Sequence, residues 1–335
     1  MVFPNTPRFN LQPCAHSWVA LHPRPKGVIQ FIGSTGLGTW PTIAYRHFLK
    51  SLFEAGYTVV AFPFRFTFNH WSIALNLLDE HYAVRGAMVE TAVAKGFDAS
   101  IYLQSASYTW VGHGLGCKYV ALLELLSEPV DRLQEQFQVC GLRRAWQQWQ
   151  VGLADLRNSL RYLEQRIYSL TGQRVDYGEP SIRDEASLLL APVMIDLEGA
   201  IPVKFLERLL GHVITVQPTV EQTHELIEHS QRFQLTGLLQ FARDRIAAPT
   251  CHQLMQEQPH IRRRLLKGNH SEVVGIQIGP CIVDLNPLDK FIQPLKCRDL
   301  ELKCLTLLHR LRHRSVVMPC GSSCRANGRQ RSMAA

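Results

Sequence analysis

Ten consecutive residues decide the fold class: YTWVGHGLGC, at positions 108–117. The first four are aromatic or β-branched, which predicts a strand over Tyr108–Val111. The glycines of Gly112–Gly116 predict a sharp turn, after which apolar residues continue as a helix to about Leu126. A strand that passes through a tight turn directly into a helix is typical of α/β proteins.

The same alternation extends outward in both directions. A predicted strand at Val28–Ile32 precedes a helix at about Thr42–Glu54. A second strand at Tyr57–Phe62 precedes a helix at about His70–Lys95. Strand character returns downstream at Ser187–Ala191, Val213–Val216, Phe233–Leu239 and Arg264–Leu266. Strands that alternate with helix-sized intervals predict a mostly parallel sheet flanked by helices.

One long interval lacks strand signals. Between Ser127 and Glu185 the apolar residues recur at helical spacing, which indicates a helical insertion into the core. We therefore divide the chain into four predicted segments. They are the first half of the core (1–126), the insertion (127–185), the second half of the core (186–317) and a basic tail (318–335).

Composition and charge exclude several classes of protein. Of 335 residues, 46% are hydrophobic and 19% are charged, which excludes wholesale disorder and a fibrous coiled coil. The most apolar stretch, Leu188–Ile195, is too short to span a bilayer. Seven of the eight net positive charges follow Glu301, so the body is neutral. A neutral body argues against a nucleic-acid-binding enzyme, and we expect the basic tail to be disordered.

The cysteine pattern and the N-terminus bear on compartment and metal content. The nine cysteines show no paired spacing and no secretory leader is evident, which predicts a cytoplasmic protein. One series has zinc-ligand residue types: His309, His313, Cys320 and Cys324. Only six residues separate the two pairs, and a helix end followed by a loose tail explains them equally well. We predict no metal and no cofactor.

The centre of the turn carries the main functional question. Hydrolases with such a turn place Ser, Cys or Asp at its middle position, whereas Gly114 offers no side chain for attack. An acid and a base nevertheless follow in the expected order. Asp244 comes after the strand at 233–239, and His270 comes after the next strand.

Backbone groups around the turn predict an anion-binding nest. The loop after the first strand offers the amide of Ser34 or Thr35, and Leu115 opens the helix after the turn. His113 lies inside the turn itself. We expect these four residues to bind an oxyanion or another part of a ligand.

With these motifs in place, the chain resembles an uncharacterised α/β-hydrolase-like family of cyanobacteria and chloroplasts, domain of unknown function 1350. Four stretches carry the resemblance, across about residues 17–302: Lys26–Gly33, Phe62–His70, Gly112–Cys117 and Asp284–Ile292. It implies an α/β-hydrolase fold without an assigned reaction. The sequence departs from related hydrolases at Gly114, and at 271–273, where an apolar residue and a proline are expected.

In such a fold the insertion at 127–185 occupies the position of a cap over the active site. Four of its aromatic residues could line an apolar ligand pocket or simply pack between the cap helices: Trp146, Trp149, Tyr162 and Tyr168. Four further residues could rescue catalysis, and each also has a structural interpretation. They are Cys117, Ser34, His113 and His70.

Two main functions follow from these patterns. Because Gly114 lacks a nucleophile, the first expectation is a protein without serine-type hydrolysis that binds a small apolar ligand or a partner. The alternative is a non-canonical ester or thioester hydrolase in which His270 and Asp244 act as base and acid. A third possibility is a scaffold whose basic tail docks on an acidic partner.

Overall fold

A computed structural model describes residues 7–65, 67–194, 216–283, 292–295 and 298–317. Eight strands form one sheet, in the spatial order β1-β2-β4-β3-β5-β6-β7-β8. They are β1 (Gln12–Cys14), β2 (Ser17–Ala20), β3 (Val28–Ile32), β4 (Thr58–Phe62), β5 (Tyr108–His113), β6 (Ala186–Leu190), β7 (Thr236–Phe241) and β8 (Arg262–Leu266).

The sheet is antiparallel only at one edge. The hairpin of β1 and β2 joins β4 in the antiparallel direction, and every pair from β4 to β8 is parallel. Strands β3 to β7 are wholly buried, whereas β8 closes the other edge and exposes Arg262–Arg264. Because parallel strands end together, the loops after β3, β5, β7 and β8 meet at one edge of the sheet.

Helices cover both faces. They are α1 (Pro41–Ala44), α2 (Arg46–Glu54), α3 (His70–Ala94), α4 (Ser100–Leu103), α5 (Leu115–Leu126), α6 (Val130–Val139), α7 (Arg143–Thr171), α8 (Val220–His229), α9 (Ala248–Glu257) and α10 (Leu300–Val317). The predicted mostly parallel sheet flanked by helices is confirmed, and its strand order is that of an α/β-hydrolase fold. Within the described ranges, no helix combines the length and apolar character that a membrane crossing needs.

The interval 127–185 contains the helices α6 and α7 and no strand. The long helix α7 runs parallel to α3, since Gly152 faces Leu75 and Gly86 faces Leu163 further along. A Cβ at either glycine would lie 3.3–3.4 Å from the facing leucine, so both positions favour a close approach. The role of these helices as a cap stays a prediction.

Several element boundaries differ from the sequence-based expectations. The single helix expected at Thr42–Glu54 is broken at Tyr45, whose side chain turns into the protein interior. The strand expected at Phe233–Leu239 begins only at Thr236, after a 3₁₀ turn. A small second sheet was not predicted: β9 (Ile276–Ile278), β10 (Cys281–Val283) and β11 (Ile292–Pro294).

Some predictions lie outside the described residues. Apart from Val216, this applies to the strand expected at Val213–Val216. It also applies to most of the Asp284–Ile292 stretch and to the basic tail at 318–335. The side chain of His313 and the tail cysteines of the zinc-type series are likewise not described.

Candidate active site at the Gly114 turn

The turn after β5 has a backbone geometry and close contacts that favour glycine at its central positions. Gly114 has φ 55° and ψ −120°, a conformation that other residues adopt only under strain. A Cβ at Gly112 would lie 2.7 Å from the backbone nitrogen of Cys117. A Cβ at Gly116 would lie 2.6 Å from the carbonyl oxygen of Gly33. The turn is therefore pressed directly against the loop that follows β3.

Asp244 and His270 meet beside this turn, as their order in the chain predicts. His270 Nδ1 lies 2.9 Å from Asp244 Oδ2. The other carboxylate oxygen accepts hydrogen bonds of 3.0 Å from the amides of Ile246 and Ala247. The Asp244 side chain is fully buried, whereas that of His270 is 18% exposed. The carboxylate thus holds an imidazole that solvent and a ligand can still reach.

The charge state of Asp244 suits this role. Burial alone would raise the pKa of Asp244, but the hydrogen bond and charge of His270, together with the two amides, outweigh it and lower the pKa. An ionised Asp244 accepts the Nδ1–H of His270 and leaves Nε2 as the proton acceptor. His270 Nε2 lies 3.4 Å from the point that a Cβ at Gly114 would occupy.

Ser34 fills the space in front of that base. A Cβ at Gly114 would collide with Ser34 Oγ and would lie 2.9 Å from Ser34 Cβ. The hydroxyl of Ser34 therefore lies where the side chain of an ordinary nucleophile would begin. A side chain at position 114 and this conformation of Ser34 exclude each other.

A chain of hydrogen bonds connects Ser34 to His270 through two buried side chains. The amide of Ser34 donates to Tyr45 Oη at 2.8 Å, and Tyr45 donates to His113 Nδ1 at 2.9 Å. His113 Nε2 donates to the carbonyl oxygen of His270 at 3.0 Å. Since a carbonyl only accepts, these directions fix the tautomer of His113.

His113 and Tyr45 are held in their neutral forms. Burial, together with the nearby charge of His270, lowers the pKa of His113 to about 3. Burial also raises the pKa of the Tyr45 hydroxyl. Neither group gains or loses a proton near neutral pH, so both position their neighbours rather than exchange protons.

The expected anion-binding amides divide into used and unused groups. The Ser34 amide is engaged by Tyr45, whereas the amides of Thr35 and Leu115 find no acceptor among the described residues. Leu115 N–H also opens α5, where the helix dipole favours negative charge. In addition, the hydroxyl of Thr35 is buried and has no partner within the described part of the chain.

Cys117 and His70, which were also candidates for catalysis, have the surroundings of buried structural residues. The thiol of Cys117 is fully buried, contacts the carbonyl oxygen of Leu190 at 3.4 Å and has a strongly raised pKa because of burial. His70 packs edge-on against Tyr119, and burial together with the charge of Lys118 lowers its pKa to about 3. A buried thiol and a neutral, buried imidazole are poor groups for attack or proton transfer.

The four aromatic residues considered in the insertion differ in their burial and contacts. Trp149 is buried, and Trp146 lies edge-on to Phe137 with ring centroids 6.1 Å apart. Tyr168 is half exposed, whereas Tyr162 lines a cavity of about 550 Å³ between α3 and α7. The two tryptophans therefore pack, and Tyr162 alone of the four borders this cavity.

Tyr45 and the amides that hold Asp244 were missed by sequence reasoning. Asp244 accepts from amides two and three residues further along the chain, which is the local turn that Asp side chains favour. No comparable signal marks Tyr45, because its partners come from distant parts of the chain. Among the described residues, no group of three or more His, Cys, Asp or Glu side chains is placed to hold a metal ion.

Comparison with known proteins gives a match to a family model over part of the chain. Residues 10–138 match the family described as Protein of unknown function (DUF1350). The resemblance to DUF1350 is confirmed over these residues. No curated protein sequence matches the chain.

Solved structures with a similar course of the chain include three hydrolases. A sugar hydrolase of Lactococcus lactis is 11% identical with a TM-score of 0.48, covering 92% of this chain and 100% of that chain. An esterase of Thermogutta terrifontis is 13% identical with a TM-score of 0.43, covering 94% and 96%. A carboxylesterase of Lactobacillus plantarum is 12% identical with a TM-score of 0.43, covering 94% and 99%. The fold assignment rests on the sheet topology itself.

Proposed function

We propose that this protein hydrolyses an ester or thioester with His270 as general base and Asp244 as the group that orients it. The observation that carries the proposal is the 2.9 Å contact between His270 Nδ1 and Asp244 Oδ2, with Nε2 facing the turn. General-base catalysis requires an imidazole in a fixed tautomer within reach of the attacking hydroxyl. A buried carboxylate with two amide donors and one imidazole donor supports that arrangement.

The surrounding amides support the same reaction. When a hydroxyl attacks an acyl carbon, negative charge develops on the carbonyl oxygen. The Thr35 and Leu115 amides find no acceptor among the described residues, so they are available for that charge. His270 Nε2 would accept the proton of the attacking hydroxyl and return it to the departing alcohol or thiol.

Gly114 favours a second candidate, ligand binding without hydrolysis. A glycine at this position removes the usual attacking side chain from the turn beside the base. A protein of this kind would bind a small apolar ligand or a partner at the turn and turn nothing over. The two functions differ in a single measurable property, namely hydrolysis that depends on His270.

The test uses the purified full chain and a panel of p-nitrophenyl esters and acyl thioesters of increasing acyl length. We expect His270→Ala to lower the rate by about 10³-fold or more, and Asp244→Asn to lower it by a similar factor through the wrong tautomer. His252→Ala serves as the matched control, because His252 is an exposed histidine of α9. Absence of hydrolysis across the panel would favour ligand binding instead. Equal activity in the His270 variant would show that His270 is not the base.

A further inference from the structure

We propose that the attacking hydroxyl of this site belongs to Ser34, on the loop after β3, instead of to the turn at Gly114. The inference rests on the proposed function and adds a catalytic residue to it. It assigns a displaced serine nucleophile that acts on acyl esters or thioesters. The turn keeps its geometry, while the hydroxyl comes from the opposite wall of the site.

The position of the hydroxyl carries the inference. Ser34 Oγ and His270 Nε2 both lie within 3.4 Å of the same point, the position of a Cβ at Gly114. In a serine hydrolase the nucleophile starts from that point and reaches the base. Here the base is retained, and a different serine supplies a hydroxyl in front of it.

The hydroxyl of Ser34 has no structural task that would explain it. Within the described residues, Ser34 Oγ forms no hydrogen bond, so it caps neither the loop nor a helix. Its backbone, in contrast, is fixed on both sides. The amide donates to Tyr45 Oη at 2.8 Å, and the carbonyl oxygen accepts from the amide of Gly38 at 2.6 Å. A rigid backbone with an uncommitted hydroxyl is suited to presenting a nucleophile.

Glycine at position 114 fits the same arrangement. Any larger residue there would place its Cβ against Ser34 Oγ and Cβ. The glycine and the position of Ser34 are therefore one structural arrangement. Rotation about the Cα–Cβ bond of Ser34 moves Oγ without moving the backbone, and catalytic hydrogen bonds often shorten when substrate binds.

The chemistry balances with water as the only co-substrate. Ser34 Oγ bonds to the acyl carbon while its proton passes to His270 Nε2. The bond between the acyl carbon and the leaving oxygen or sulfur then breaks, and the leaving group takes that proton. Water attacks the resulting ester of Ser34 and gives a proton to Nε2. Ser34 Oγ departs with this proton, which releases the acid and restores the serine.

A fluorophosphonate probe identifies the nucleophile directly. The natural protein is incubated with the probe and digested, and the labelled peptide is sequenced by mass spectrometry. We expect the label on Ser34, with loss of fluoride from the probe. Ser34→Ala should abolish labelling and lower His270-dependent hydrolysis by about 10³-fold or more. Ser271→Ala, which removes the serine next to the base, is the control and should stay within about threefold of the natural rate.

A second variant moves the hydroxyl back to the turn. Ser34→Gly removes the atoms that a Cβ at position 114 would meet, and Gly114→Ser in the same chain restores a serine there. We expect this double variant to recover His270-dependent hydrolysis and to carry the label on the new serine. The single change Gly114→Ser should be less active than the double variant, because Ser34 still occupies the space.

The outcomes separate the two proposals. A label on another residue, or His270-dependent hydrolysis within about tenfold of the natural rate in Ser34→Ala, would overturn the role of Ser34. The general-base function would then stand, with the labelled residue as the attacking group or, where no residue is labelled, with water. A natural protein that is neither labelled nor active on the whole panel would overturn both proposals. Because labelling is read on the natural protein, the result does not depend on how well any variant folds.

Discussion

His113 and His270 approach the Gly114 turn from two sides, with ring centroids 5.2 Å apart. His113 ends β5 in full burial, between the hydroxyl of Tyr45 and a backbone carbonyl. His270 follows β8, keeps part of its ring exposed and pairs with the carboxylate of Asp244. Two residues of one chemical type therefore receive opposite tasks.

The difference lies in the partners. A buried imidazole with uncharged partners is neutral and has both nitrogens committed, so it connects its neighbours and does not exchange protons. An imidazole held by a carboxylate through Nδ1 keeps Nε2 available, and no described residue bonds to that nitrogen. The roles of the two histidines therefore follow from the atoms to which they bond, and not from how close each lies to the turn in the sequence.

Gly114 lies beside both histidines, and its replacement should have the largest effect on stability. We expect Gly114→Ala to destabilise the protein by about 1–3 kcal/mol through its positive φ, with about 1–3 kcal/mol more from the collision with Ser34. Urea unfolding measures the sum. Gly172→Ala is the matched control, since Gly172 has φ 69° and open space around its Cβ position. If both variants lose equal stability, Ser34 is not held against the turn.

The part of the site that could be predicted is the part that depends on the order of strands and residues along the chain. Asp244 and His270 follow consecutive parallel strands, so their meeting at one edge follows from the sheet. The place of Ser34 does not follow from order, because it depends on how closely two loops approach at Gly114. The role of Tyr45 could not be predicted for a similar reason. Its helical spacing suggests a core residue, whereas the helix is interrupted at Tyr45 and the side chain contacts residues that are distant in the chain.

The buried, neutral state of His113 should make the stability of the protein depend on pH. An unfolded histidine titrates near pH 6.5, whereas His113 stays neutral to about pH 3 in the folded protein. Between these values only the unfolded chain binds the proton, so the free energy of unfolding falls as the pH drops. His113→Gln keeps a donor and an acceptor but removes this effect. We expect it to lessen the loss of stability between pH 6.5 and pH 4.5 by about 2 kcal/mol.

The measurement is a pair of urea titrations at pH 4.5, 5.5 and 6.5 for the natural protein and the variant. Other buried groups titrate in the same window, such as Glu124, whose pKa burial raises to about 8. The difference between the two pH dependences isolates His113, whereas either one alone does not. Parallel curves would mean that His113 titrates in the folded protein, which would contradict its role as a neutral, buried group.

The fold was predictable where strands are buried and periodic. The central strands from β3 to β7 have apolar or β-branched residues, so all but the start of β7 could be placed closely. The short strands β1, β2 and β9 to β11 were missed, because three or four residues carry little periodicity. Pro13 in β1 is a poor strand signal, although an edge strand tolerates it. Gly279-Pro280 does mark the turn between β9 and β10.

The smallest predicted effect concerns the loop that carries Ser34. On the Asp244 side both carboxylate oxygens are paired, whereas the buried hydroxyl of Thr35 has no partner among the described residues. Replacing an unpaired buried hydroxyl with an apolar group of similar shape is neutral or stabilising. We expect Thr35→Val to raise the free energy of unfolding by up to about 1 kcal/mol.

Thr58→Val is the contrast to this variant, because Thr58 Oγ1 bonds to the amide of His22 at 3.0 Å and to Tyr102 Oη at 2.9 Å. Its loss should cost about 1–3 kcal/mol, since two polar groups remain unpaired. A Thr35 variant that loses as much stability as the Thr58 variant would mean that the protein itself uses the Thr35 hydroxyl. Recognition of a carbonyl oxygen at this site would then rest on the backbone amides of Thr35 and Leu115.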